Sequence, residues 1–121
     1  MRDEQFLEFV VPHSLASARE ELRDRLSSWG CQLRDDIVLV FSELITNATV
    51  HTTQGWRAVV THVPPHVRIE VHDGSHAGPH VLADPSQGGL GMAIVAKLSD
   101  HWGWESTATG KFVWCLVACG G

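Results

Sequence analysis

Phe41-Ser-Glu-Leu-Ile-Thr-Asn-Ala-Thr-Val-His51 is the stretch on which the reading of this chain turns. Phe41, Leu44 and Ala48 continue a set begun by Ile37 and Val40. Their spacing of three and four predicts the apolar face of a helix running from about Leu33 to Val50. Glu43, Asn47 and His51 fall at i, i+4 and i+8, so they project from one shared face, one above another. Such a stripe has two readings. A carboxylate and a carboxamide beside a core face hold a hard cation or position a water. Alternatively, the stripe is a solvated surface with a histidine near the helix C-terminus.

Before this helix, Phe6 to Val11 reads as a strand closed by Pro12. Ser14 then caps a helix whose apolar positions are Leu15, Ala18, Leu22, Leu26 and Trp29, with Gly30 where a C-terminal cap belongs. After it, Trp56 to Val63 is rich in Val and Thr, Pro64-Pro65 makes a turn, and Val67 to Val71 alternates, which predicts a hairpin. Residues Asp73 to Gly91 hold five of the eleven glycines and read as a long loop. Met92 to Leu98 returns to helical spacing. Trp102 to Thr107 and Lys111 to Ala118 form a last hairpin around Thr109-Gly110. The order β-α-α-β-β-α-β-β segregates helices from strands. It predicts an α+β fold, a single α/β sandwich with a mixed, mostly antiparallel sheet and helices on one face.

Composition narrows the function classes. The 121 residues are expected to make one domain, 1–121, long enough to bury roughly two thirds of its unfolded surface. Fourteen acidic against nine basic side chains give a formal charge of −5, which argues against direct nucleic-acid or anionic-lipid binding. The longest apolar run, Phe112 to Cys119, is far short of the roughly 20 residues a bilayer requires. No secretory signal is read at the N-terminus, so the expectation is a cytoplasmic protein, with Cys31, Cys115 and Cys119 all reduced.

Two further signals carry chemistry. Ser86-Gln87-Gly88-Gly89-Leu90-Gly91-Met92 is glycine-rich and leads into a helix, where backbone amides and the helix N-terminus can hold phosphate. It is neither a Walker A loop nor a Rossmann fingerprint, and a plain surface connection is the competing reading. Asp73, followed by Gly74 at a strand end, is a turn former or an acceptor for an exocyclic amine such as that of adenine.

The combination of Glu-Leu-x-x-Asn-Ala-x-x-x-His, Val-x-Asp after a strand, and Gly-x-Gly-Met opening a helix resembles the GHKL (Bergerat-fold) ATPase superfamily. Its short form here is similar to the anti-sigma-factor serine/threonine kinases. The likeness extends from Phe6 to Val117 and includes Leu98-Ser-Asp-His-Trp-Gly103 and Gly110-Lys-Phe-Val-Trp114. The resemblance implies ATP and Mg²⁺ as cofactors. It implies Asn47 as the Mg²⁺ ligand, Glu43 as the acid that activates the attacking hydroxyl, and Asp73 as the reader of the adenine amino group. Gly89, Leu90, Gly91 and Met92 would shape the phosphate lid, and His51 would face the phosphates or serve the structure. The implied partners are a STAS-domain anti-anti-sigma protein and a competing sigma factor. A homodimer using the first strand and helix is implied as well.

The chain departs from the family pattern at Ser75 and Gln87, which favours an alternative: a sequestering module that binds ATP without transferring phosphate, or binds none. The ATPase part of a histidine kinase is not expected, since 121 residues leave no room for a phosphoacceptor helix pair. His72, His76 and His80 are four apart, but the glycines between them break helical alignment, and no zinc site is expected. Cys115 and Cys119 read as small hydrophobes, and Trp102, Trp104 and Trp114 as core.

Overall fold

A computed structural model describes residues 6–10, 14–51, 55–74 and 90–120. The elements come in the expected order: β1 (Phe6–Val10), α1 (Leu15–Ser28), α2 (Arg34–His51), β2 (Trp56–Val63), β3 (His66–Asp73), α3 (Leu90–Leu98), β4 (His101–Ser106) and β5 (Lys111–Ala118). The strands form one sheet in the order β1-β2-β3-β5-β4, with every pairing antiparallel. The architecture is α+β, an open sheet carrying its helices on one face.

Period-two alternation sets that face. In β3, Val67, Ile69, Val71 and Asp73 are buried, while His66, Arg68, Glu70 and His72 between them are only half-buried. In β5 the buried set is Lys111, Val113, Cys115 and Val117, each directly opposite a buried residue of β3. Helix α2 lies across these strands with Ile37, Val40 and Phe41 wholly enclosed, and Phe41 packs its ring 5.3 Å from that of Phe9 in β1. Ser42, also buried, donates to the carbonyl of Val38 and accepts from Arg19 Nε at 2.8 Å, fastening α1 to α2.

The end of α1 is a Schellman turn. Gly30 takes φ +78°, its amide donates to Ser27 O, and the amide of Cys31 donates to Leu26 O. This reversal turns Cys31 inward, where it meets Cys119. The two are joined as a disulfide across 88 positions of sequence. The expectation of three reduced thiols is therefore corrected. Sequence spacing carried no sign of the pairing, because it depends on where the Schellman turn aims Cys31. Cys115 is a free, buried thiol among core side chains, as expected.

The face away from the helices carries polar and aromatic groups in contact. Arg68 lies over the ring of Trp114, 5.9 Å from its centroid, and Glu70 bonds both Arg68 and His72. Trp114 rests on Gly103, where a Cβ would come within 3.0 Å of the ring. Of the three tryptophans expected in the core, only Trp102 packs against it. Trp104 is 41% exposed, and Trp114 belongs to the outer face because β5 alternation places Val113 and Cys115 inward. Among the described residues no helix is long and apolar enough to cross a membrane.

Two measurements check this description. Reducing the Cys31–Cys119 bond, which closes a loop of 88 residues, is expected to lower stability by about 2–5 kcal/mol in denaturant titration. The second concerns acid. Burial alone would raise the Glu70 carboxyl, but its bonds and charge contacts with Arg68 and His72 outweigh this and hold it below its ordinary 4.5. Its folded value is depressed, so its contribution is present above the unfolded value and lost as pH falls through the folded one. The stability gap between wild type and Glu70→Gln should be full at neutral pH and close as pH drops below 4.5.

Candidate functional site

Helix α2 supplies the first part of the site. Glu43 and Asn47 lie one turn apart on it, both half-buried, between the enclosed Leu44 and Ala48. An acid and an amide held at the margin of a core have restricted freedom and one open side. His51 is the last residue of α2, and nothing is described of its side chain.

The start of α3 comes directly against Glu43. A Cβ on Gly91 would fall 2.6 Å from Glu43 Oε1, so only glycine leaves room for the carboxylate in its present place. The carboxylate thus lies against the first turn of α3. This contact joins two of the predicted site residues that lie 48 positions apart (91 − 43) in sequence. Met92, expected beside the nucleotide, is 1% exposed and sits in the core cluster, so it anchors α3 to the sandwich. Leu90 begins α3, without a described side chain, while Gly89, Gln87 and Ser75 lie outside the described residues.

Asp73 ends β3 on the helix-facing side. It is the cross-strand partner of both Trp56 and Lys111. Lys111 is fully buried, and its Nζ reaches both oxygens of Asp73, at 3.0 and 2.8 Å. The turn before β5 sets this geometry. Gly110 presses on the end of β3 so closely that a Cβ there would lie 2.0 Å from the Asp73 carbonyl oxygen. A side chain at that position would force the backbone at the end of β3 and the turn before β5 apart.

An open cleft of about 250 Å³ lies at this end of the sheet, lined by Gly55, Trp56, Arg57, His72, Asp73, Gly74 and Thr109. The Asp73 carboxylate beside this cleft is itself almost wholly buried against Lys111. A carboxylate offers about four lone-pair sites, more than one ammonium occupies, so pairing with Lys111 is compatible with a further donor.

The family model of the histidine kinase-like ATPase domain matches residues 11–116, nearly the whole chain. The chain belongs to this family. A comparison with curated proteins gave no significant match. Membership accounts for the open antiparallel sheet and the helices on its one face among the described residues, and makes the protein an ATP-binding domain of the kinase and ATPase type.

Lys111 is the residue that sequence reading passed over. The signal was present: β5 alternation puts it in line with Val113, Cys115 and Val117, and a lysine on a buried face requires a carboxylate opposite. Replacing it as Lys111→Met strands the Asp73 charge and is expected to cost about 3–5 kcal/mol of unfolding free energy. The double change Lys111→Met with Asp73→Leu should recover most of that loss in the same denaturant titration.

Proposed function

We propose that this histidine kinase-like ATPase domain is a serine/threonine protein kinase of the anti-sigma type, acting on a STAS-domain anti-anti-sigma protein. The observation that carries the reading is the contact of Glu43 with Gly91, which sets a carboxylate at the mouth of the helix that would follow the phosphate lid. In this reading the acceptor Ser or Thr hydroxyl gives its proton to Glu43 as its oxygen attacks the γ-phosphorus. The bond to the β–γ bridging oxygen breaks and ADP leaves. Phosphoryl transfer asks a protein mostly for positioning and charge neutralisation, and both belong to these elements.

Asn47 and Glu43 are hard oxygen donors one turn apart, a set suited to Mg²⁺. Asn47 would hold the ion, which when bound neutralises polyphosphate charge beside the Glu43 carboxylate. Asp73 would read the adenine amino group with Trp56 beside it, and His51, Gly89 and Leu90 would border the phosphates. A sigma factor as competing partner fits this reading, as does a homodimer through β1 and α1. The acidic chain leaves recognition to a partner protein rather than to nucleic acid.

The closing of Asp73 by Lys111 favours a second reading, a sequestering module that binds ATP without transferring phosphate or binds no nucleotide at all. Two measurements separate them. Calorimetry with ATP and Mg²⁺ should show saturable binding, and incubation with labelled ATP and STAS proteins should label a Ser or Thr. Glu43→Ala is expected to cut transfer by roughly 10²–10⁴-fold while leaving ATP binding nearly unchanged. Binding without transfer supports the module, and absence of binding overturns the kinase and leaves a nucleotide-free module. Gly91→Ala, which must displace the Glu43 carboxylate, should lower transfer with little change in unfolding midpoint.

A further inference from the structure

At the opposite end of the sheet from Asp73, three side chains meet that the nucleotide site does not use. His62 follows Trp56, Ala58 and Val60 on the helix-facing side of β2, roughly 20 Å along the strand from Trp56. Its ring stacks on Trp29 at the end of α1, with centroids 5.1 Å apart and planes 13° from parallel. That stacking turns Nε2 toward Cys119 Sγ, 3.9 Å away. The ligating atoms of Cys31, His62 and Cys119 all lie within 4.8 Å of one another.

Backbone hydrogen bonds hold these groups alongside the S–S bond. The amides of Gln32 and Leu33 both donate to Cys119 O at 3.0 Å, and the amide of Cys119 donates to Pro65 O at 2.9 Å. The Schellman bond from Cys31 N to Leu26 O fixes the other cysteine. Gly120, at φ +79°, lets the chain turn against Leu33, where a Cβ would come within 2.8 Å of that side chain. Opening the disulfide therefore leaves two thiols and an imidazole already gathered. A cavity of about 540 Å³ lined by Trp29, His62, His66 and Cys119 opens His62 and Cys119 to solvent, while Cys31 is buried behind them. His66, on the same wall, has its Nε2 bonded to Asp100 at 2.8 Å.

We propose that Cys31, Cys119 and His62 form a redox-gated zinc site, closed by the disulfide when oxidised and loaded with one Zn²⁺ when reduced. A dithiol reductant supplies two electrons and two protons to the S–S bond and becomes a disulfide itself. Zn²⁺ then replaces the two thiol protons, which are released to water. Two thiolates and an imidazole match the donor preference of zinc, at Zn–S of about 2.3 Å and Zn–N of about 2.0–2.1 Å. The fourth position faces the cavity and takes water. The ion would bridge α1, β2 and the end of β5, replacing one cross-link by another. This site is separate from the nucleotide reading and stands or falls without it.

Cobalt is the optical probe. The 121-residue chain, reduced with a phosphine rather than a competing thiol, is titrated anaerobically with Co²⁺. One ion per chain, a thiolate-to-cobalt charge-transfer band and intense tetrahedral visible bands are expected, all abolished by added Zn²⁺. The oxidised chain should show none of these, a comparison that needs no substitution. His62→Ala should weaken binding and reduce the visible bands, and Cys31→Ser should lose the tetrahedral spectrum. Cys115→Ser should match wild type, since burial pushes the Cys115 thiol up to about 12 and keeps it protonated. Should reduction loosen the fold, recovery of ellipticity on adding Co²⁺ supports the site. Failure of the reduced chain to show a thiolate–cobalt band overturns the proposal, as does a spectrum unchanged in Cys31→Ser.

Discussion

An ammonium group taken out of water must meet a carboxylate, and in this protein that requirement fixes the pairing of the two central strands. Lys111 is fully enclosed and Asp73 is the residue opposite it. A slip of one position between β3 and β5 would turn Val113, Cys115 and Val117 outward and leave the lysine without its counter-charge. The hydrophobic rungs and the ion pair therefore specify the same register from two directions. Gly110 strengthens the constraint, because the turn that delivers Lys111 lies against the backbone of Asp73 with no space for a side chain.

Much of the fold was legible in the sequence because it rests on periodicities local to each element. The α2 face from Ile37 to Ala48, the alternation of β3 and the Ser14 cap each follow from a few neighbouring residues, and each element is found near its expected bounds. The glycine at position 30 announced the end of α1, but not that the turn would carry Cys31 to Cys119. That pairing joins the start of one helix to the end of the last strand and is a property of the assembled sandwich. The tryptophans misled for a related reason. Size and apolarity suggested core, whereas β5 alternation assigns Trp114 to the outer face, where Arg68 covers it.

The candidate site was legible in its parts more than in its connections. The spacing of Glu43 and Asn47 survives as neighbouring half-buried groups on α2, and the need for glycine at position 91 acquires a cause in the Glu43 carboxylate. Asp73 ends β3 as the sequence predicted, but it is also half of a structural ion pair, which sequence alone does not announce. Met92 is enclosed in the core, where it holds α3 to the sandwich.

The bond between Cys31 and Cys119 has a topological meaning beyond stability. It makes a covalent ring of α2, α3 and four of the five strands, leaving β1 and α1 outside it. A single break in the backbone anywhere within that ring yields two pieces that remain one molecule, so proteolytic nicking of the oxidised protein need not separate α2 from the strands it covers. Once reduced, the same nick leaves the pieces joined only by their packing.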